Sequence, residues 1–355
     1  MSGIVFPAEW FPQSGVQVTW PHEGTDWCDM LMEVTACYVA FSKEILKREK
    51  LLVAAPPSFN VRQYFSDEEQ QNLICMEVES NDTWARDHGA ITVFADNKPT
   101  LIDFGFNGWG LKFAANHDNR IAENLFRAGV FTSGTDYQNR LNFILEGGSI
   151  ESDGKGTLLT TTCLLAPNRN QPMTREQIDD YVKRTLGIKR VLWLNHGYLA
   201  GDDTDSHIDT LARFCDEETI AYVKCDDEND EHFTELQAME AELKSFVAYN
   251  GRPYRLVALP MADAVFEEEQ RLPATYANFL IINEAVLLPY YGTPKDEIAK
   301  KQLEKAFPDR EIVGIDCTPL IRQHGSLHCV TMQFPEGIIK SVYDEDRNYS
   351  TSQQT

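Results

Sequence analysis

Hydrophobic positions in this chain come in short runs that switch between two periods. Val16-Gln17-Val18-Thr19-Trp20 alternates as a half-buried strand does, and residues 29–48 then carry apolar groups at helical spacing. Leu51-Leu52-Val53-Ala54-Ala55 follows as a buried strand; after a short helical piece near 61–65, another strand is expected at 73–78. Residues 90–94 and 100–104 bracket Asp96-Asn97-Lys98-Pro99, whose residue types favour a tight turn, so a hairpin is expected there. A helix at 119–128 and strands at 141–145 and 156–162 come next. The helix at 175–186 leads into a strand at 190–194, and Thr210-Leu211-Ala212-Arg213-Phe214 is a strand or a buried connection. After a strand at 219–223, the acidic run 226–231 suits the N-terminus of a helix at 232–247. Strands at 254–259, 279–283 and 286–288 precede a last helix at 296–307.

No Pro/Gly/Ser-rich linker or low-complexity segment divides these elements. Short strands alternating with helices predict an α/β architecture, assembled from several similar β-rich units into one domain over 1–355.

Composition narrows the function classes. The 355 residues suffice for a large core, and a hydrophobic fraction of 43% is that of a globular chain. Asp plus Glu number 55 against 32 Lys plus Arg, a formal charge of −23. That surplus disfavours nucleic acid, whose phosphates need cationic contacts, and favours cationic ligands. The most apolar later run, 279–291, is interrupted by Asn283, Glu284 and Pro289 and cannot span a bilayer. Met1-Ser2-Gly3-Ile4-Val5-Phe6-Pro7 lacks the basic and apolar regions of a secretory signal. The eight cysteines show no CxxC pair, so a reducing, cytoplasmic setting is expected, with most thiols serving as core residues.

Candidate chemistry concentrates in five stretches. In Gly201–Asp209, ionisable groups crowd beside an apolar run; if 207–209 is extended, His207 and Asp209 share a face. Such a pair can do acid–base work, bind a metal or hold a cation, although an acidic surface loop has the same composition. In 81–89, Trp84 can floor a pocket for a cation that Asp82 or Asp87 anchors, with Arg86 committed to a nearby carboxylate. Glu146 stands at a strand end before two glycines, which equally describes a plain turn, and Asn278 places an amide at a strand start. Cys329 is a candidate nucleophile. Neighbours on a strand face opposite ways, so His207 is favoured as its partner base and His328 is expected to be structural. A zinc site from Cys329, His207 and an aspartate is the alternative, without ligands at close metal-type spacing.

Taken in order, NDTWARDHG, LEGGS, TDSHID, LPATYANFLI and HGSLHCVT resemble the agmatine deiminase and bacterial peptidylarginine deiminase family, from Pro7-Ala8-Glu9-Trp10 to about Pro335. Each motif is short; five in order with similar gaps are specific. The resemblance implies the pentein fold, an α/β-propeller with five-fold pseudosymmetry and its site on the central axis. It implies that Asp87 and Asp209 grip a guanidinium while the Cys329 thiolate attacks its carbon. His207 would protonate the leaving ammonia and then activate water; Glu146 would orient His207 or hold the guanidinium, and Asn278 would line the site.

No cofactor or metal is implied. The implied partner is a small cationic guanidine, with a homo-oligomer left open. Many relatives have Glu where Asp203 stands, Gly where Ser206 stands, and a run of glycines at His324-Gly325-Ser326. Asp203 is in the region expected to meet the far end of the substrate. Residues 104–113 offer Lys112 and no arginine to a substrate carboxylate. The expected reaction is therefore hydrolysis of agmatine to N-carbamoylputrescine and ammonia, a step towards putrescine. The alternatives are a deiminase of peptidyl- or free arginine and a non-catalytic pentein that only binds.

Overall fold

A computed structural model describes residues 3–340. Met1 and Ser2 of the opening stretch, and the end of the expected 1–355 unit, lie outside the described residues.

Five sheets repeat one arrangement: an antiparallel strand pair, the second strand of which passes through helix to a third strand parallel to it. In one, Ile91–Ala95 pairs Lys98–Gly105, which runs parallel to Asp136–Ile144 beyond Ile121–Arg127. In the next, Ile150–Ser152 pairs Thr157–Thr161, which lies parallel to Arg190–Leu194 after helix Arg175–Leu186. Ala212–Asp216, Thr219–Lys224, helix Phe233–Ser245 and Arg255–Pro260 make the third. Leu280–Ile282, Ala285–Tyr290, helix Lys295–Ala306 and Glu311–Asp316 make the fourth. The fifth joins the two ends of the chain: Thr331–Pro335 pairs Gln13–Thr19, which leads through helix Leu31–Leu46 to Lys50–Ala55 and an added parallel strand, Leu73–Glu77. The chain closes on itself through that sheet.

Local sequence explains these elements. Leu31–Leu46 buries Val34, Tyr38, Phe41 and Ile45, a stripe at helical spacing, each side chain contributing about 1.5–3 kcal/mol. Arg175–Leu186 begins at a reciprocal cap between Thr174 and Gln177 and ends at Gly187, whose φ of 71° is left-handed. The hairpin turn is tighter than expected, because Asp96 and Asn97 alone supply its left-handed residues, at φ 52° and 65°. Lys98 and Pro99 already belong to the second strand.

Other elements escaped the pattern. Glu311–Asp316 is interrupted by Gly314, where a Cβ would lie 2.5 Å from the Tyr290 ring, so close packing selects the glycine. Residues 207–209 are not extended: Ile208–Thr210 forms a single 3-10 turn, and the strand begins at Ala212. In the acidic run, Asp230 is more than a solvated charge, since it accepts from the His232 backbone at 2.9 Å and from Arg271 at 2.8 Å. Among the described residues, no helix is long and apolar enough to cross a membrane.

Candidate active site

Each of the five sheets has a short segment just before its first strand, and these segments carry the candidate residues. Asp87 lies in Ala85–His88, Glu146 precedes Gly147–Ser149, and His207 and Asp209 flank Ile208. Asn278 comes just before Leu280, and Cys329 just before Thr331. Hydrogen bonds join the segments. Gly148 N donates to Asp87 Oδ1 at 3.0 Å, Arg86 N to the Cys329 carbonyl at 3.1 Å, and His328 N to Asn278 Oδ1 at 2.9 Å. A hairpin commits its strands to the ladder, while the turn entering it is free to present a side chain.

The candidate residues converge. His207 Nδ1 is 3.6 Å from Asp87 Oδ1, and its Nε2 is 3.8 Å from Glu146 Oε2. Cys329 Sγ lies 3.7 Å from Asp209 Oδ2 and 3.2 Å from the Asn278 amide nitrogen. All six side chains are buried. Two of their atoms, His207 Nε2 and Asp209 Oδ1, are buried without a hydrogen-bond partner among the described residues. Burial without a partner costs about 1–3 kcal/mol for each polar group, a cost that a hydrogen-bonding ligand would relieve.

The convergence also sets the charges. Burial alone would lower the pKa of His207, but Asp87 and Glu146 outweigh it and raise it to about 9. Asp87 is pushed up to about 6 by burial and by Asp209 and Glu146, with His207 working against the shift. For Glu146 and Asp209 burial opposes ionisation; His207 and Arg169 hold Glu146 below the usual carboxylate range, and His328 and His207 do so for Asp209. Burial, together with Asp209 and Asp87, drives the Cys329 thiol well above its ordinary range. At neutral pH the site therefore holds a thiol, an imidazolium and ionised carboxylates.

Trp84 and Asp203 sit outside this cluster, lining with Asp87 and Cys329 a cleft of about 460 Å³. The Trp84 ring packs on Gly325, where a Cβ would come within 2.0 Å of it, and its Nε1 donates to Asp82 at 3.0 Å. The cleft wall carries four aspartates, Asp26, Asp82, Asp87 and Asp203, and among the described residues it has no lysine or arginine. Burial and the neighbouring Asp26 raise Asp82 to about 7. Lys112 reaches the mouth but is engaged there, donating to the Asp203 carbonyl at 2.6 Å and pairing Asp205 at 3.3 Å.

Several residues had no signal in the hydrophobic pattern. Trp109 donates to Asp87 Oδ2 at 2.9 Å from a segment in which Gly108 to Leu111 all have positive φ. Arg169 spans Glu146 at 3.1 Å and Asp205 at 2.7 Å, bringing together two of the motif stretches. Its surroundings, Asn168-Arg169-Asn170-Gln171-Pro172, look like an ordinary turn; only an unexplained arginine could have hinted at it. Arg86 does not pair a nearby carboxylate as expected: its closest is Glu9, distant in sequence, at 3.8 Å. Among the described residues, the acids and imidazole close enough to share a metal are Glu9, Glu151 and His328, within 4.8 Å, and not the Cys329–His207 set. Arg213 already fills that role, bonding Glu9 at 2.7 Å and pairing with Glu151.

Five such sheets, whose entry segments bring together a thiol, an imidazolium and paired carboxylates, define a hydrolase of guanidino C–N bonds, and comparison with known proteins supports this class. Residues 5–335 match the Porphyromonas-type peptidyl-arginine deiminase family, and the chain belongs to it. A Marinomonas sp. (strain MWYL1) protein named "Putative agmatine deiminase" is 31% identical, with 95% of each chain covered. A crystal structure of the "Putative Arginine Deiminase" from Porphyromonas gingivalis shares 55% identity at a TM-score of 0.92, covering 95% of this chain and 100% of that one. An agmatine deiminase of C. jejuni with a cysteine-to-serine substitution and substrate bound shares 40% identity at 0.87, covering 94% and 97%. A dimethylarginine dimethylaminohydrolase, at 11% identity and 0.50 over 91% and 100%, shares the fold alone. That fold is the pentein fold.

Proposed function

We propose that the protein is an agmatine deiminase. The observation that carries this reading is the pair of unpartnered buried atoms, His207 Nε2 and Asp209 Oδ1, in a cluster of which Asp87 and Cys329 line an acidic cleft. A guanidinium is planar, positive and rich in N–H donors, so it suits carboxylates such as Asp87 and Asp209. Its arrival changes the state of the thiol: the two carboxylates that raise the Cys329 pKa are neutralised by the cation between them.

The Cys329 thiol then gives its proton to solvent, and the thiolate Sγ forms a bond to the guanidinium carbon. As the tetrahedral adduct collapses, a C–N bond breaks and ammonia leaves with a proton from His207. His207, now neutral, takes a proton from water as the water oxygen bonds to the same carbon; the C–S bond then breaks as the new C=O forms, and the hydroxyl proton returns Cys329 to its thiol. The balance is agmatine plus water giving N-carbamoylputrescine plus ammonia. Glu146, fixed by Arg169, holds His207 in place and favours its protonated form.

The far end of the substrate decides between guanidines. Agmatine ends in an amine, which suits Asp26, Asp82 and Asp203; free arginine adds a carboxylate there. The C. jejuni and Marinomonas relatives, both named for agmatine, support the same choice. The test is to incubate the protein with agmatine and measure ammonia and N-carbamoylputrescine, with Cys329→Ser as the control. Equimolar products from wild type and none from a folded Cys329→Ser are expected. Undiminished turnover in the variant would contradict the mechanism.

A further inference from the structure

Behind Asp209 lies a buried charge cluster that the proposed chemistry does not use, and His328 is its hinge. Its Nδ1 is 2.8 Å from Asp209 Oδ2 and its Nε2 is 2.7 Å from Glu9 Oε2. Both ring nitrogens thus face carboxylate oxygens, so the ring is held from two sides. Glu9 is itself fixed in place. Its Oε2 accepts from Arg213 at 2.7 Å and its Oε1 from the Ile281 backbone at 2.8 Å, which leaves it a bound carboxylate. Arg86 approaches from another side, with Nε 3.4 Å from the His328 carbonyl, and Glu151 lies beyond Arg213. The charged groups around His328 are therefore Asp209, Glu9 and Glu151 against Arg86 and Arg213.

The arrangement has a direct consequence at the site. His328 occupies Asp209 Oδ2, and Asp209 Oδ1 is the unpartnered atom. We propose that His328 is a positioning residue: braced on Glu9, it fixes the rotation of the Asp209 carboxylate so that Oδ1 is presented to the substrate. This rests on Asp209 receiving the guanidinium. The histidine next to Cys329 is then more than the structural residue its sequence position suggested. Removing its N–H from Oδ2 frees the carboxylate to turn and to take up a proton.

The two amide replacements separate this role from packing. Asn at position 328 can set its amide nitrogen near the place of Nδ1, within reach of Asp209, whereas Gln extends it towards Glu9. With agmatine, His328→Gln should raise KM at least about tenfold, with kcat reduced less, and move the acid limb of kcat/KM to higher pH. His328→Asn should recover most of the loss in KM. KM and the position of the pH limb do not depend on how much protein is folded. Wild-type values of both in His328→Gln would therefore overturn the proposal, whatever happens to its melting temperature.

If neither variant folds, a crystal structure of Cys329→Ser with agmatine bound decides the matter. Asp209 Oδ1 on the guanidinium with Oδ2 still on His328 Nδ1 is expected, and a guanidinium held by Oδ2, or His328 turned away from Asp209, would overturn the proposal. A wild type that neither binds nor turns over agmatine, arginine or an arginyl peptide would defeat the function reading as well. An active wild type with an unaffected His328→Gln defeats the positioning role alone.

Discussion

Gly148 faces His207 with no room for a side chain. A Cβ at Gly148 would lie 2.7 Å from His207 Nδ1, and also 2.9 Å from Asp87 Oδ1 and 3.1 Å from Asp209 Oδ2. The two glycines after Glu146 thus have unequal reasons to be there. At Gly147 a Cβ would meet the Arg86 backbone at 2.2 Å, a constraint on packing, whereas Gly148 is constrained by the candidate catalytic groups themselves.

Gly148→Ala should therefore act on chemistry. A displacement of about 1 Å in a reacting group can cost about a hundredfold in rate, and the methyl has to displace His207 or Asp87. The expected outcome is a loss of kcat of about a hundredfold or more, with the circular dichroism spectrum retained. A variant with wild-type kcat would mean that His207 and Asp87 can move without consequence.

Asp87→Asn, Asp209→Asn and Glu146→Gln should each lower kcat/KM for agmatine by about two orders of magnitude or more. Each change removes one charge from a buried set and leaves its partners uncompensated. The effects should differ in kind. Loss of Asp87 or Asp209 weakens the grip on the cation and raises KM, while loss of Glu146 acts through His207 and falls mainly on kcat. Steady-state kinetics on the three variants checks the division.

The pH dependence follows from the same contacts. Asp87, raised to about 6, becomes protonated as pH falls through that value, and the guanidinium loses an anionic partner. His207, raised to about 9, loses its proton as pH rises through that value, and the leaving ammonia loses its acid. A plot of kcat/KM against pH, which reports the free enzyme, should be a bell between about 6 and about 9. In Glu146→Gln the alkaline limb should shift to lower pH, because one of the carboxylates that raise His207 is gone.

How much of this was legible in the sequence depends on the range of the interaction. Arg175–Leu186 and Arg190–Leu194 were readable because their signals are local: a cap, an apolar period and a terminating glycine. Four of the five motif stretches were readable as polar residues beside glycine, with Asn278 the weakest signal, and the structure brings Asp87, Glu146, His207, Asp209, Asn278 and Cys329 into one buried cluster. The geometry of His207 and Asp209 was not, since a single 3-10 turn has no period to detect. Glu9, Arg169 and Arg213 were invisible because their partners lie far along the chain, as with Arg213 and Glu9 at 2.7 Å across 204 positions.

The substrate is tested most directly by kcat/KM for agmatine, free arginine and an arginyl peptide, measured side by side by ammonia release at low and moderate salt. Two like charges about 4 Å apart at an effective dielectric near 20 disfavour each other by about 4 kcal/mol. Salt screening reduces that for the exposed part of the cleft, so a preference of at least about tenfold is expected at moderate ionic strength. The aspartates at the cleft wall should therefore favour agmatine over free arginine, with the margin widening as salt is lowered. Equal values, or a preference for arginine or the arginyl peptide, would contradict the assignment to agmatine.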